Sequence, residues 1–146
     1  ALEMLFGCLP PGRILLPRPG FSFYAVLARN KGLEIDWYDL QAEKQWEIDL
    51  ELVSEKLARG GVCAWLLNNP SNPCGSVYSR EHLQACLRLA QLHKVLIIAD
   101  EIYEAMTFEA GAFCPIASLQ PSIPLVVVSA ISKRWLVPGW RLGWIL

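Results

Sequence analysis

Three unbroken apolar runs, each passing directly into polar residues, constrain the fold of this chain more than any other feature. Residues 62–67 meet Asn68-Asn69-Pro70, residues 95–99 meet Asp100, and residues 125–128 lead through a polar loop to Lys133. Runs this short, with no polar alternation, predict strands covered on both faces, as in a parallel sheet. Residues 13–16, which end at Pro17, and residues 33–38, which alternate in polarity, predict further strands, and 144–146 reads as the start of another. Between them lie helical stretches: 21–31, closed by Gly32; 49–58, ending at Gly60-Gly61; and 80–93, where Ser79 can accept from free amides and Glu81 favours the first turn. This alternation predicts an α/β domain with a mainly parallel sheet, helices on both faces and right-handed crossovers.

In such a sheet, functional side chains collect beyond the carboxyl ends of the strands, where the loops converge. The chain of 146 residues suffices for one modest core, and no repeat or low-complexity linker divides it. Its composition, 53% hydrophobic and 18% charged, is apolar for a soluble domain and predicts surface that awaits a covering. Leu2, Leu5 and Phe6 recur at helical spacing with no capping residue ahead of them, and the last apolar residues stop inside a strand pattern. Residues 1–146 therefore read as the centre of a larger domain.

A formal net charge of −1 provides no basic field for a nucleic acid or an anionic membrane. No apolar run reaches membrane-spanning length, and the opening residues lack the pattern of a signal peptide. Cys8, Cys63, Cys74, Cys86 and Cys114 are odd in number and irregularly spaced, which predicts mostly buried thiols in a reducing, cytoplasmic setting rather than disulfides or a zinc site. His82 and His93 have no second ligand at metal spacing and read as surface residues of a helix, so no metal is expected.

Three loops remain as candidates for chemistry. Lys133 precedes Arg141 by eight residues with Pro138-Gly139 between them, so an amine and a planar cation flank one segment, a spacing that suits an aldehyde cofactor carrying a phosphate arm. Two solvated cations in a surface loop would read the same way. Asn69 to Gly75 holds two Asn-Pro steps, a stiff turn in its own right. Asp100 puts an acid at the end of a buried strand, where an unpaired carboxylate is costly, although an acidic helix start with a core tyrosine at Tyr103 fits the same residues.

Taken in order, Asn69-Pro70-Ser71-Asn72-Pro73-Cys74-Gly75, Asp100-Glu101-Ile102-Tyr103 and the segment from Ser132 to Trp144 resemble the fold-type-I aminotransferases that use pyridoxal 5'-phosphate (PLP). The resemblance implies that this chain is part of the large, PLP-binding domain of such an enzyme. It implies that Lys133 attaches the cofactor and shuttles the substrate proton, that Asp100 pairs with the pyridine nitrogen, and that Asn72 and Tyr103 donate to the phenolic oxygen. Arg141 would grip the phosphate, with Ser132 contributing a hydroxyl nearby. Ala130, where many relatives carry serine, weakens that phosphate cup. Pro17-Arg18-Pro19-Gly20-Phe21-Ser22-Phe23-Tyr24 is similar to the segment whose aromatic residue stacks on the ring, which places Phe21 there.

By the same resemblance Cys74 is a packed thiol standing where many relatives have threonine. Arg134 is solvated or structural, and Trp135, Trp140 and Trp144 pack the fold. The implied reaction moves an amino group from an aromatic amino acid, tyrosine foremost, to 2-oxoglutarate, in a homodimer. Family enzymes are two to three times longer, so the loop ahead of Ala1, the arginine for the substrate carboxylate and the small domain would lie outside residues 1–146, leaving this chain inactive alone. A PLP-dependent carbon-sulfur lyase shares the motif set, and a non-catalytic remnant would retain it.

Overall fold

In the computed structural model, which describes residues 1–109 and 111–146, the apolar runs form the middle of a seven-stranded sheet. The strands are β1 (Arg13–Arg18), β2 (Glu34–Gln41), β3 (Glu47–Ile48), β4 (Val62–Asn68), β5 (Leu96–Asp100), β6 (Leu125–Ala130) and β7 (Gly143–Ile145), in the spatial order β3-β2-β1-β4-β5-β6-β7. The inner pairings are parallel, while β3 on β2 and β7 on β6 are antiparallel. Helices α1 (Leu2–Gly7), α2 (Phe23–Asn30), α3 (Leu50–Ala58), α4 (Arg80–His93) and the single turn α5 (Ile131–Arg134) complete the chain.

The strand pleat sorts each apolar run between two cores. Leu15, Trp65, Leu67, Ile97 and Ala99 point to the side covered by α3 and α4, where they meet Val53, Leu57, Leu83 and Leu87. Ile14, Leu16, Ala64, Leu66 and Ile98 point to the other side, against Phe6 of α1 and Tyr24, Leu27 and Ala28 of α2. Helices thus cover both faces, and this is why the central strands carry no polar alternation. Trp65 lies fully buried with its ring edge-on to Tyr38, whose hydroxyl donates to the Leu66 carbonyl at 2.7 Å.

Local chemistry sets the boundaries. Ser79 accepts from the His82 amide at 3.1 Å to open α4, as its position predicts. Asp49 lies just outside α3 as its cap, accepting from the Leu52 amide at 3.0 Å. Val95 lies between α4 and β5 rather than in the strand, and its amide closes the end of α4 by donating to the Ala90 carbonyl at 3.0 Å. The helix expected from residue 21 starts at Phe23, and β6 continues to Ala130, so Lys133 sits on a helical turn instead of a loop.

Three side-chain expectations are corrected. His82 is buried: its Nε2 accepts from the Ile48 amide at 3.2 Å, tying the short strand β3 to α4, and burial lowers its pKa. Among the thiols only Cys86 and Cys114 are buried; Cys63 and Cys74 are half-buried and Cys8 is exposed. Trp135 and Trp140 are 54% and 74% exposed rather than packed in the core, and Leu136, Leu142 and Leu146 are also exposed. The apolar excess of the composition is thus concentrated around α5 and β7.

No helix among the described residues is long and apolar enough to cross a membrane, and none of their His, Cys, Asp and Glu side chains cluster as a metal site. Ile98, fully buried at the centre of the sheet, is expected to cost about 2 to 5 kcal/mol when cut to alanine. Met4→Ala, at a side chain 72% exposed, is expected to stay within about 0.5 kcal/mol. Urea unfolding of the two variants checks both values.

Candidate active site

Parallel pairing makes the three apolar runs end level. Asn68 stands opposite Asp100, and Asp100 opposite Val128, so the residues that follow β4, β5 and β6 share one edge of the sheet. Asn68 links the first two strand ends: its amide Nδ2 donates to the Asp100 carbonyl at 3.1 Å, and its Oδ1 accepts from the Asn72 backbone amide at 2.7 Å. The loop closes on itself through the Ser71 amide to the Ser76 carbonyl and the Gly75 amide to the Ser71 carbonyl, both at 2.9 Å. Asn72 is therefore fixed through its backbone, half-buried, at the rim of the strand ends.

Asp100 is 6% exposed. Its Oδ2 accepts from the Tyr24 hydroxyl at 2.6 Å and its Oδ1 from the Ile102 amide at 3.2 Å. Burial raises its pKa, and these two bonds oppose the rise. Among the described residues no cation forms an ion pair with it. Tyr24 is buried on α2, and desolvation together with the Asp100 charge drives its own pKa upward, which keeps it a donor. Phe21 packs edge-on against Tyr24 with ring centroids 5.4 Å apart, and remains 41% exposed.

The turn after β5 carries Tyr103, half-buried, with the Lys133 amine 5.7 Å from its ring centroid. Next to this contact Arg134 reaches Glu104 at 3.6 Å, so α5 meets the turn through two successive side-chain pairs. Arg134 also lies over the Trp135 ring at 4.8 Å, and is anchored rather than merely solvated.

Ser132 is half-buried one position before Lys133. Arg141 is exposed, and its guanidinium donates to the Pro138 carbonyl at 3.0 Å. The chain after Arg141 returns to the start of α5 through the Ile131 amide to the Leu142 carbonyl and the Ala130–Gly143 pairing. A Cβ on Gly143 would stand 3.0 Å from the Ser129 carbonyl oxygen, so this close return depends on a residue without a side chain.

One chain of contacts therefore joins Phe21, Tyr24, Asp100, Asn68 and Asn72, and a second joins Tyr103 to Lys133; the short turn from Asp100 to Tyr103 connects the two. Ser132 and Arg141 make no hydrogen bond or ion pair to these residues among those described; Arg141 bonds instead to the Pro138 carbonyl. Tyr24 and Asn68 escaped the reading by motif. A helical spacing of three from Phe21 was the available sign for Tyr24, and the position of Asn68 at the last step of an apolar strand was the sign for it.

The chemistry of this donor set suits a flat heteroaromatic aldehyde. It offers a primary amine beside a phenol, a buried carboxyl group with no cation paired to it among the described residues, and an aromatic ring packed on the tyrosine that bonds that carboxyl group.

Comparison with known proteins identifies the family. The chain is 49% identical over its whole length to a tyrosine aminotransferase of Bos taurus, covering 33% of that protein. It is 41% identical over 99% of its length to an S-alkyl-thiohydroximate lyase of Arabidopsis thaliana, covering 31% of it. The crystal structure of a tyrosine aminotransferase from Leishmania infantum superposes on all of the chain and on 41% of its own, with a TM-score of 0.93 at 30% identity. The chain thus spans about a third of the length of the curated relatives it matches. The model of the family described as aminotransferase class I and II matches residues 1–146, and this chain belongs to that family.

Proposed function

We propose that this chain forms the PLP-holding centre of an aminotransferase that moves the amino group of an aromatic amino acid, tyrosine foremost, to 2-oxoglutarate. The observation that carries the reading is Asp100: a carboxyl group 6% exposed, fixed by Tyr24 and Ile102, without a cation, on the strand next to the one that leads to Lys133. The 49% identity to the bovine tyrosine aminotransferase supports the substrate.

When bound, PLP supplies an aldehyde that takes up an amino group and a ring that accepts electron density. Asp100 in this reading holds a proton on the ring nitrogen, the counter-charge that its burial calls for. Lys133 attaches the cofactor and, once free, removes the α-proton of the amino acid as a general base. Tyr103 and Asn72 would donate to the phenolic oxygen, Phe21 would cover the ring face, and Arg141 with Ser132 would hold the phosphate.

Residues 1–146 would be part of the large domain, with the small domain and the substrate-carboxylate site outside them, inactive alone and assembled as a homodimer in the full protein. The free cysteines support a reducing compartment such as the cytoplasm. A carbon-sulfur lyase is the second reading, favoured by the 41% identity to the Arabidopsis lyase. Amino-group retention on the cofactor after one half-reaction with tyrosine marks the transferase, and release of ammonia with a 2-oxo acid marks the lyase.

Two outcomes are expected. The full protein, purified and dialysed after PLP addition, keeps a cofactor absorption band that Lys133→Ala abolishes along with turnover; equal residual labelling of both proteins would refute the assignment of Lys133. The second concerns pH. Because burial raises the Asp100 pKa, the stability of the cofactor-free protein falls as pH climbs from the unfolded carboxyl value of about 4 through the raised folded value. Asp100→Asn flattens that fall while binding PLP about 100-fold more weakly, as expected when one member of a buried charge pair is removed. Thermal unfolding across pH and a PLP titration measure the two effects.

A further inference from the structure

Glu101 follows Asp100 and plays no part in the site described above, yet it is 4% exposed. Buried glutamates are rare unless they are bonded, and this residue makes one bond through its carboxyl group and two through its backbone. Its carboxylate Oε1 accepts from the Ile116 amide at 2.9 Å, fifteen residues along the chain, where the return segment enters a short 3-10 turn over Ile116–Leu119. Its own amide donates to the Val128 carbonyl of β6 at 3.0 Å, and its carbonyl accepts from the Glu104 amide at 3.0 Å.

One residue thus holds three segments together: the edge of β6, the turn through Tyr103, and the start of the chain's return toward β6. Asp100 and Tyr103 flank it directly. Their side chains make two different attachments, to Tyr24 and beside Lys133, and neither attachment secures the turn from the side of Ile116. The Glu101–Ile116 bond does.

We propose that Glu101 is a positioning residue: by capturing the Ile116 amide it holds the Asp100–Tyr103 turn at the height where both side chains meet one cofactor. The inference rests on the PLP reading above. Its chemistry is that of a hydrogen-bond acceptor and needs no net charge, so a glutamine retains it and a leucine of similar size removes it. Burial, with the Glu104 and Asp100 charges adding to it, lifts the Glu101 pKa to about 7, in keeping with a group that accepts as a neutral acid as well as a carboxylate. A cavity of about 270 Å³, bordered by Glu101, Glu104, Ser129 and Trp144, lies beside the carboxyl group, so a leucine has room to turn without forcing the backbone apart.

The test compares Glu101→Leu and Glu101→Gln in the full protein, first by amide hydrogen exchange without cofactor and then by circular dichroism in the PLP band. Glu101→Leu is expected to speed exchange at residues 102–106 and at Ile116 while leaving β1 and α4 unchanged. It is also expected to weaken PLP binding about tenfold, with a smaller induced signal per bound cofactor. Glu101→Gln should restore both. Exchange at 102–106 equal to that of the parent, or a uniform loss of protection with an unaltered signal per bound cofactor, overturns the proposal. A parent protein that shows no Lys133-dependent band would sink the PLP reading itself, and the exchange data, which need no cofactor, would then decide the Glu101 attachment alone.

Discussion

The arrangement depends on a carboxyl group placed where a carboxylate is hard to keep. Asp100 ends a strand whose neighbours on both sides are apolar, and the hydrogen bonds it receives from Tyr24 and Ile102 satisfy its oxygens without neutralising it. A buried carboxylate without a counter-charge destabilises the folded chain, and the proposed cofactor nitrogen would supply that counter-charge. The surrounding structure serves to hold this acid in place: Tyr24 is fixed in the core under α2, and Asn68 binds the Asp100 carbonyl from the neighbouring strand.

The parallel sheet turns that local constraint into a site. Because β4, β5 and β6 run parallel and in register, with Asn68 opposite Asp100 and Asp100 opposite Val128, the segments that follow them leave the sheet at the same edge. Loops that would otherwise be mobile are then secured by short-range bonds: Asn68 to Asn72 on one side, Glu101 to Ile116 on the other, and Glu104 to Arg134 across to α5.

Much of this was legible in the residues. The apolar runs revealed the central strands because burial on both faces removes polar alternation, and Ser79 marked the start of its helix because its hydroxyl has one geometric use there. The expected layering of helices on both faces of a mainly parallel sheet follows from the same pattern, and the sheet has it. What escaped depended on contacts distant in sequence. His82 looked like a surface residue until β3, two residues long and carrying no periodic signal, supplied the amide that its ring accepts. Trp135 and Trp140 looked like core residues because size and hydrophobicity say nothing about which neighbours exist to cover them. Tyr24 was read as part of an aromatic segment, whereas its hydroxyl reaches an acid 76 residues away. Motifs named the groups to which chemistry is assigned in the proposal; the groups that hold them were named by geometry.

The most direct measurement is the nitrogen-15 chemical shift of PLP labelled at its ring nitrogen and bound to the full protein around neutral pH. The account predicts a protonated nitrogen in the parent protein and an unprotonated one when Asp100 is replaced by asparagine. An unprotonated nitrogen in the parent, or a protonated one that persists without the Asp100 carboxylate, would contradict it.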